Sequence, residues 1–367
     1  MVWQAGIVVI ILASIPYLFY FLGIRFGKKT PSIPVMKNPP PVSIVISAYN
    51  EARIIAERIE NIASLRYPHD RIEVILVDDC SSDDTGSLAA AAFGRTDLSY
   101  RIIRNDNRLG TNRSYNRAIA TIENTIVVTT DADVFFTPDT LGILISRLCS
   151  DDRIAAACAD LRPHDSRNST ADFESVYRNF YGQMCDWESA IDSTYTLNGA
   201  MVAFRKDLVQ RIEESRGADD ANTAFAAIRN GYRAVYEIHA VVYEILPEDL
   251  PTQFRQKTRR AKRLIEATLA NLNLLFLKRP FALFYAMRIW MYTFTPVLYI
   301  MGTILFMAGI FLVNIPVFAL LLIAGLFLFF VWKRNLVSAF TINQIYLFSG
   351  LLNLGKNTLT WESTSKK

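Results

Sequence analysis

The chain has 367 residues, 51% of them hydrophobic, and a formal net charge of +4. That length allows one large domain with additional segments, and so modest a charge, with basic residues gathered beside apolar runs, argues against nucleic acid as a partner. Four cysteines without a Cys-x-x-Cys pair and three scattered histidines argue against structural disulfides, zinc and a histidine-based metal site. Oligomeric state is not legible.

In chain order, residues 6–23 are uncharged and apolar, and counted from Val2 the run reaches roughly the 20 residues of a bilayer crossing. It lacks a basic leader and a small-x-small cleavage site before Arg25, so residues 1–24 are expected to be a retained anchor. Residues 25–41 follow as a linker that ends in Pro39-Pro40-Pro41. From Val42 a strand (42–47), a helix (50–65, with Ile54, Ile55, Ile59 and Ile62 at helical spacing) and a strand (72–77) alternate. The second strand runs into Asp78-Asp79, and Ser81 to Gly86 form a turn able to cap the next helix. Further strands are expected at 100–104 and 126–130. The alternation predicts an α/β fold with a mostly parallel sheet covered on both faces, binding ligands at the carboxyl ends of its strands.

Beyond the middle domain, apolar stretches 289–312 and 315–332 read as a transmembrane hairpin. A third stretch, 336–354, carries Asn343, Gln344 and Asn353 and spans, re-enters or lies in the interface. Arg25, Lys28, Lys29, Lys278, Arg279, Lys333 and Arg334 flank these segments on one side, which puts the middle domain in the cytoplasm of a multi-pass cell-membrane protein. On that side the sequon Asn168-Ser169-Thr170 stays unmodified.

The densest chemistry lies behind the apolar run Ile126-Val127-Val128. Asp131 and Asp133, two residues apart, share one face of an extended backbone at the end of a buried strand. Such a pair suits a hard divalent cation that completes its shell with substrate phosphates; plain turn chemistry is the alternative.

Together, PVSIVISAYNE, VILVDDCSSDDT, the Asp131–Asp133 motif, NGAMVAFRKDL and ADDANTAFAAIRNGYR resemble the family-2 inverting glycosyltransferases of GT-A (Rossmann-like) fold, which include hyaluronan, chitin and cellulose synthases and lipid-linked sugar transferases. The likeness covers residues 41–263, and the apolar segments resemble the membrane-integral branch. It implies a GT-A domain at 42–264, juxtamembrane helices at 265–288, transmembrane helices at 289–354 and a cytoplasmic tail at 355–367.

The resemblance implies roles residue by residue. Ala48, Tyr49, Asn50 and Glu51 would contact the donor nucleotide, and Asp78 and Asp79 would receive the base. Asp131 and Asp133 would hold Mg²⁺ or Mn²⁺ against the diphosphate. Asp220 would be the general base, supported by Asp219, the two acids pointing to opposite sides of an extended segment. Asn198, Gly199 and Ala200 would let the acceptor approach. Gln256 and Arg259 would face the active site, while the other basic residues of 255–263 would meet the membrane surface. Two departures stand out: Arg260 replaces the Trp of Gln-x-x-Arg-Trp, counting against long-chain processivity but leaving Arg260 in the diphosphate and acceptor region, and Thr111 stands where the family often has lysine. Arg108 or Arg113 would supply that missing cation.

The implied function is transfer of a sugar from a UDP-linked donor to a membrane-associated lipid or glycan acceptor. A processive polysaccharide synthase is the alternative within this class, and an inactive membrane scaffold the alternative outside it. A nucleotidyltransferase fits poorly, because Ser47 to Glu51 contain no glycine for a phosphate loop.

Overall fold

The computed structural model describes residues 1–164, 171–214, 217–245, 250–330 and 335–356. The sequon at 168–170, Lys333, Arg334 and the tail from 357 lie outside the described residues. Eight strands build one sheet: β1 (Val42–Ala48), β2 (Ile72–Asp78), β3 (Ser99–Arg104), β4 (Ile126–Asp131), β5 (Val134–Phe136), β6 (Ile154–Pro163), β7 (Val202–Arg205) and β8 (Arg233–Glu244). Their order is β3-β2-β1-β4-β7-β6-β8-β5. β1 to β4 are mutually parallel, and β1 and β2 are almost wholly buried, as strands covered on both faces must be. β6 and β8 pair in parallel and run with β1 to β4, while β7 is antiparallel to both β4 and β6, and β5 antiparallel to β8. The sheet is therefore mixed but mostly parallel, as expected, with six of its eight strands in one direction. Short β7 and β5 give no period by which a sequence could reveal their direction.

Register aligns the strand ends. Ser47 on β1 pairs with Val77 and with Asp131, and Ala48 pairs with Asp78, so the acidic motifs of β2 and β4 emerge side by side. One face of the sheet is covered by the helices Ile55–Ala63, Thr85–Phe93 and Thr140–Cys149, through Ile59, Phe93 and Leu144 among others. The other face carries Thr111–Ile119, Ala171–Ile191 and Asp219–Arg229, through Tyr115, Met184 and Phe225. The helix expected from residue 50 starts only at Ile55, because Asn50 adopts a left-handed φ of 56° and uses its side chain in a turn. Asn50 Oδ1 accepts from the Ser82 amide at 2.8 Å, and Cys80, with φ 64°, turns the matching loop after β2.

Among the described residues two helices are long and apolar enough to cross a membrane, Val2–Phe26 and Phe281–Val313, the latter with a π turn at Trp290–Phe294. The apolar helices Ile315–Phe330 and Leu336–Leu352 are shorter. The long pair meets backbone to backbone: a Cβ on Gly6 would strike Phe306 and Gly302, and one on Gly309 would strike Trp3. Small residues permit this approach where apolar burial alone cannot drive association. The Trp187 indole lies against Gly23 and Gly27, and the buried Glu188 binds Arg288 at 2.7 Å and the Tyr20 hydroxyl. Both long helices are thereby fastened to Ala171–Ile191 of the α/β domain.

Two expected boundaries fall inside helices. Residue 264 lies inside the helix Leu250–Ala270, and residue 288 inside Phe281–Val313, because both segments are continuous in hydrogen bonding across the compositional break. The linker is laid along the domain: the Met36 amide donates to Ser146 Oγ at 2.9 Å and Thr30 to the Asp186 carbonyl at 3.1 Å.

Candidate active site

A cleft of about 230 Å³ opens at the ends of β1 and β4, between the helices Ala171–Ile191, Leu250–Ala270 and Leu336–Leu352. Tyr49, Glu51, Asp79, Asp131, Asp133, Asn198, Gly199, Ala200, Asp219, Asp220, Gln256, Arg259 and Arg260 all line it, so most of the residues singled out in the sequence converge. Ala48, Asn50, Asp78, Arg108 and Arg113 do not line it. Ala48 is buried in the sheet, and Asp78 accepts from the Ser81 amide at 2.8 Å to shape the turn after β2.

Asp79 is buried and takes hydrogen bonds from the amides of Leu109 (2.8 Å) and Gly110 (2.9 Å) and from Asn105 Nδ2 (2.8 Å). It pins the 105–114 segment to the end of β2. Arg108 stacks on the Tyr49 ring, 3.6 Å from its centroid. Arg113 faces Glu214 at 3.5 Å in a separate, open hollow of about 860 Å³. The cation beside Thr111 in the cleft is instead Arg263, which donates to Asn112 Oδ1 at 2.9 Å.

The acids come from two directions. Asp131 ends β4, while Asp219 and Asp220 form the first turn of Asp219–Arg229 rather than an extended segment. Successive helical residues diverge by roughly 100°, so the two acids still part company. A methyl group built on Gly199 would lie 3.7 Å from Asp219 and 3.9 Å from Asp131, so glycine leaves space between these carboxylates. Burial first, then Asp133 and Asp219, holds the Asp131 carboxyl well above its usual range. Burial and the neighbouring Asp219 push Asp220 up to about 7, against the pull of the Ala221 amide, Arg263 and Arg260.

Among the described residues no three acid, histidine or cysteine groups close on a metal-sized point. Asp131 and Asp133 offer an oxygen-only pair, the donor set of a cation that completes its shell with phosphate oxygens. Two orphaned acceptors also face inward: Asn198 Oδ1 and Gln256 Oε1 are buried and unpaired, while Asn198 Nδ2 is spent on the Ala159 carbonyl at 2.7 Å. Such atoms are costly unless a ligand's donors reach them.

The cationic wall differs from the split expected within 255–263. Lys257, Lys262 and Arg263 do not face a membrane surface: Lys257 is ion-paired with buried Glu174, Lys262 is buried beside Glu266, and Arg263 grips the Gly217 carbonyl. The helix turns them inward, and only Arg255 of this group is exposed. Arg260 forks onto Glu244, one arm at 3.0 Å, and Arg178 bonds Glu174 at 2.8 Å and approaches Glu244 at 3.9 Å. Burial opposes the charge on both Arg260 and Glu244, but their pairing prevails, raising the guanidinium and depressing the carboxyl relative to their usual values. Burial, with Arg260 and Arg263 adding to it, lowers Arg259 to about 10 while Asp131 and Asp133 resist, so it remains cationic at neutral pH.

Sequence reasoning missed Glu174, Arg178 and Glu244, which carry no local motif, and Arg58, which carries a signal. Arg58 stands at a core position of its helix, in line with Ile55, Ile59 and Ile62, where an apolar residue is expected. Burial lowers it to about 9, with Asp133 and Asp131 opposing, so it is charged at neutral pH.

A mixed sheet with carboxylates converging at its parallel strand ends, next to a wall of arginines, is the architecture of a GT-A glycosyltransferase. Residues 43–212 match the model described as Glycosyl transferase family 2, and with the relatives it resembles this makes the chain a glycosyltransferase. It is 27% identical over 295 residues to "Probable glycosyltransferase YdaM" of Bacillus subtilis, covering 76% of this chain and 68% of that one. Over 251 residues it is 23% identical to the poly-beta-1,6-N-acetyl-D-glucosamine synthase of Staphylococcus aureus, covering 67% of this chain and 60% of the relative's length. The mannosyltransferase PcManGT of Pyrobaculum calidifontis, solved with GDP-Man and Mn²⁺, superposes with a TM-score of 0.81 at 24% identity, covering 96% of this chain and 98% of its own.

Proposed function

We propose that this chain transfers one sugar, with inversion, from a UDP-linked donor to a hydroxyl or phosphate of a membrane-held lipid or lipid-linked glycan. The observation that carries the reading is the meeting of Asp131, Asp133, Asp219, Asp220, Arg259 and Arg260 in one cleft. Asp220 takes the acceptor proton as the acceptor attacks the anomeric carbon opposite the leaving group. Arg259 and Arg260 face the charge that accumulates on the departing diphosphate. Asp131 and Asp133 would hold Mg²⁺ or Mn²⁺, which when bound neutralises that charge. Asn198 and Gln256 receive hydroxyl protons of sugar or acceptor through their unpaired oxygens.

The two long apolar helices support membrane placement, the shorter ones beside them a multi-pass arrangement, and the flanking Arg25, Lys28, Lys29, Lys278 and Arg279 a cytoplasmic domain. The cleft wall includes Asn343, Tyr346 and Leu347 of the last helix, which brings an acceptor's membrane-embedded part near the chemistry. Processive synthesis is the less favoured reading, since Arg260, tied to Glu244, replaces an aromatic acceptor platform. The test is incubation of the purified chain with UDP- and GDP-sugars and native lipid extract. A single sugar added with inverted anomeric configuration is expected from a UDP donor; a ladder of products favours the synthase, and no transfer from any donor removes the proposal.

A further inference from the structure

Arg58 is fully buried, and among the described residues no carboxylate lies within ion-pair reach of it. What holds it is a set of neutral groups around the Asp131–Asp133 turn. Nη2 donates to Thr130 Oγ1 at 3.0 Å and Nη1 to Asn61 Oδ1 at 2.9 Å, while the guanidinium lies 4.0 Å from the centroid of the Phe136 ring. Thr130 passes its own proton to the Ala200 carbonyl at 2.6 Å. Asn61 clamps Phe136 at both backbone atoms, accepting from its amide at 2.8 Å and donating to its carbonyl at 2.9 Å.

Thr130 immediately precedes Asp131, and Phe136 follows Asp133 by three residues, so one helix grips the turn on both sides. The Ala200 link extends the same network to the small-residue segment where Gly199 separates Asp131 from Asp219. Burial of a guanidinium is costly, and a helix could have packed an apolar residue here with less penalty. The position of the charge, behind two carboxylates that must stand close together, supplies the reason.

We propose that Arg58 is a positioning residue for the donor diphosphate, fixing both ends of the Asp131–Asp133 turn from the protein interior and setting a positive charge behind its carboxylates. This rests on the donor reading above and names a device within it. Arg58 touches neither donor nor acceptor; it keeps the carboxylates mutually oriented before a cation-bound diphosphate arrives, so the complex forms without reorganising the turn. A lysine keeps the charge but loses the planar fork that spans Asn61 and Thr130.

The experiment is calorimetric titration of the full chain in detergent with UDP plus Mn²⁺ and, separately, with uridine; GDP and guanosine form a parallel pair. Arg58→Met is expected to weaken Mn²⁺-UDP binding at least tenfold while uridine affinity stays unchanged, with Arg58→Lys between it and the parent. A merely structural role would lower the melting temperature and the active fraction, yet leave the affinity of the folded protein untouched. Should Arg58→Met fail to fold, Thr130→Val removes only the hydroxyl link and is expected to cost threefold or more in Mn²⁺-UDP affinity. Parent-like Mn²⁺-UDP affinity in the folded variants, or a parallel fall in uridine affinity, overturns the assignment. A parent for which Mn²⁺ adds nothing to either nucleoside diphosphate over its nucleoside overturns the donor reading itself, and the role of Arg58 with it.

Discussion

The two sides of the cleft are built on different principles. On the sheet side, side chains leave the ends of neighbouring parallel strands, and register alone brings Ser47, Asp79 and Asp131 together. On the helical side, Arg178, Lys257 and Arg260 come from two helices and are held by the carboxylates of Glu174 and Glu244. Strand ends place acids through backbone hydrogen bonds that no side-chain change can remove. The helical side places its cations through side-chain charge pairs and is therefore the more easily broken.

Substitutions can break or sharpen this contrast, beginning with the largest effect. Asp220→Asn removes the proposed proton acceptor and leaves the sheet intact, so kcat is expected to fall by about 10² to 10⁴ while donor binding survives, as steady-state kinetics and donor titration will show. Near-normal turnover by Asp220→Asn would move the base elsewhere. Glu244→Ala leaves the half-buried Arg260 without its carboxylate, while Arg178 keeps Glu174, which typically costs about 1–3 kcal/mol in stability, measurable by denaturant or thermal unfolding. A loss below about 1 kcal/mol would mean that the helical wall does not depend on this pair.

Acidity gives the next test. With Asp220 raised to about 7, kcat/KM increases with pH through that value, falling about tenfold per unit below it. A profile flat between pH 5.5 and 8 would exclude Asp220. Because its folded-state carboxyl titrates above an unfolded one, ionisation opposes folding from about pH 4 to 7; above pH 7, Asp220→Asn is the more stable protein. The smallest effect is expected among the apolar helices. Tyr17→Phe removes the hydrogen bond from Gln344 at 2.8 Å and costs about 1 kcal/mol, the usual net worth of a neutral hydrogen bond, read by thermal unfolding in detergent.

The same contrast explains what could be read from residues alone. β1, β2 and β4 are legible because each is a compact apolar run with its acid motif attached, and motif and strand end coincide. The convergence of Asp79, Asp131, Asp133 and Asp220 followed from a resemblance spread over five segments, since spacing alone cannot say that Asp220 returns to β4. Lys257 and Arg263 were assigned to a membrane surface because a basic run beside apolar residues has that appearance. Their burial depends on Glu174 and on Asn112, which lie 83 and 151 residues away. Arg58 was overlooked for the opposite reason: the isoleucines around it signal a helix so clearly that the one charged residue among them passed unremarked.

The glycine contact between Val2–Phe26 and Phe281–Val313 bears on the order of assembly. The first of these helices is made before the second, and the backbone surface that fits Gly6 belongs to a segment roughly 300 residues later, about 15–60 s of synthesis at ordinary rates. Through that interval the helix has its glycine face uncovered, and until Glu188 is made, 168 residues after it, the Tyr20 hydroxyl lacks its partner. Biogenesis of this protein therefore includes a waiting stage, in which a lone helix stays available to other small-residue helices until its own chain returns to claim it.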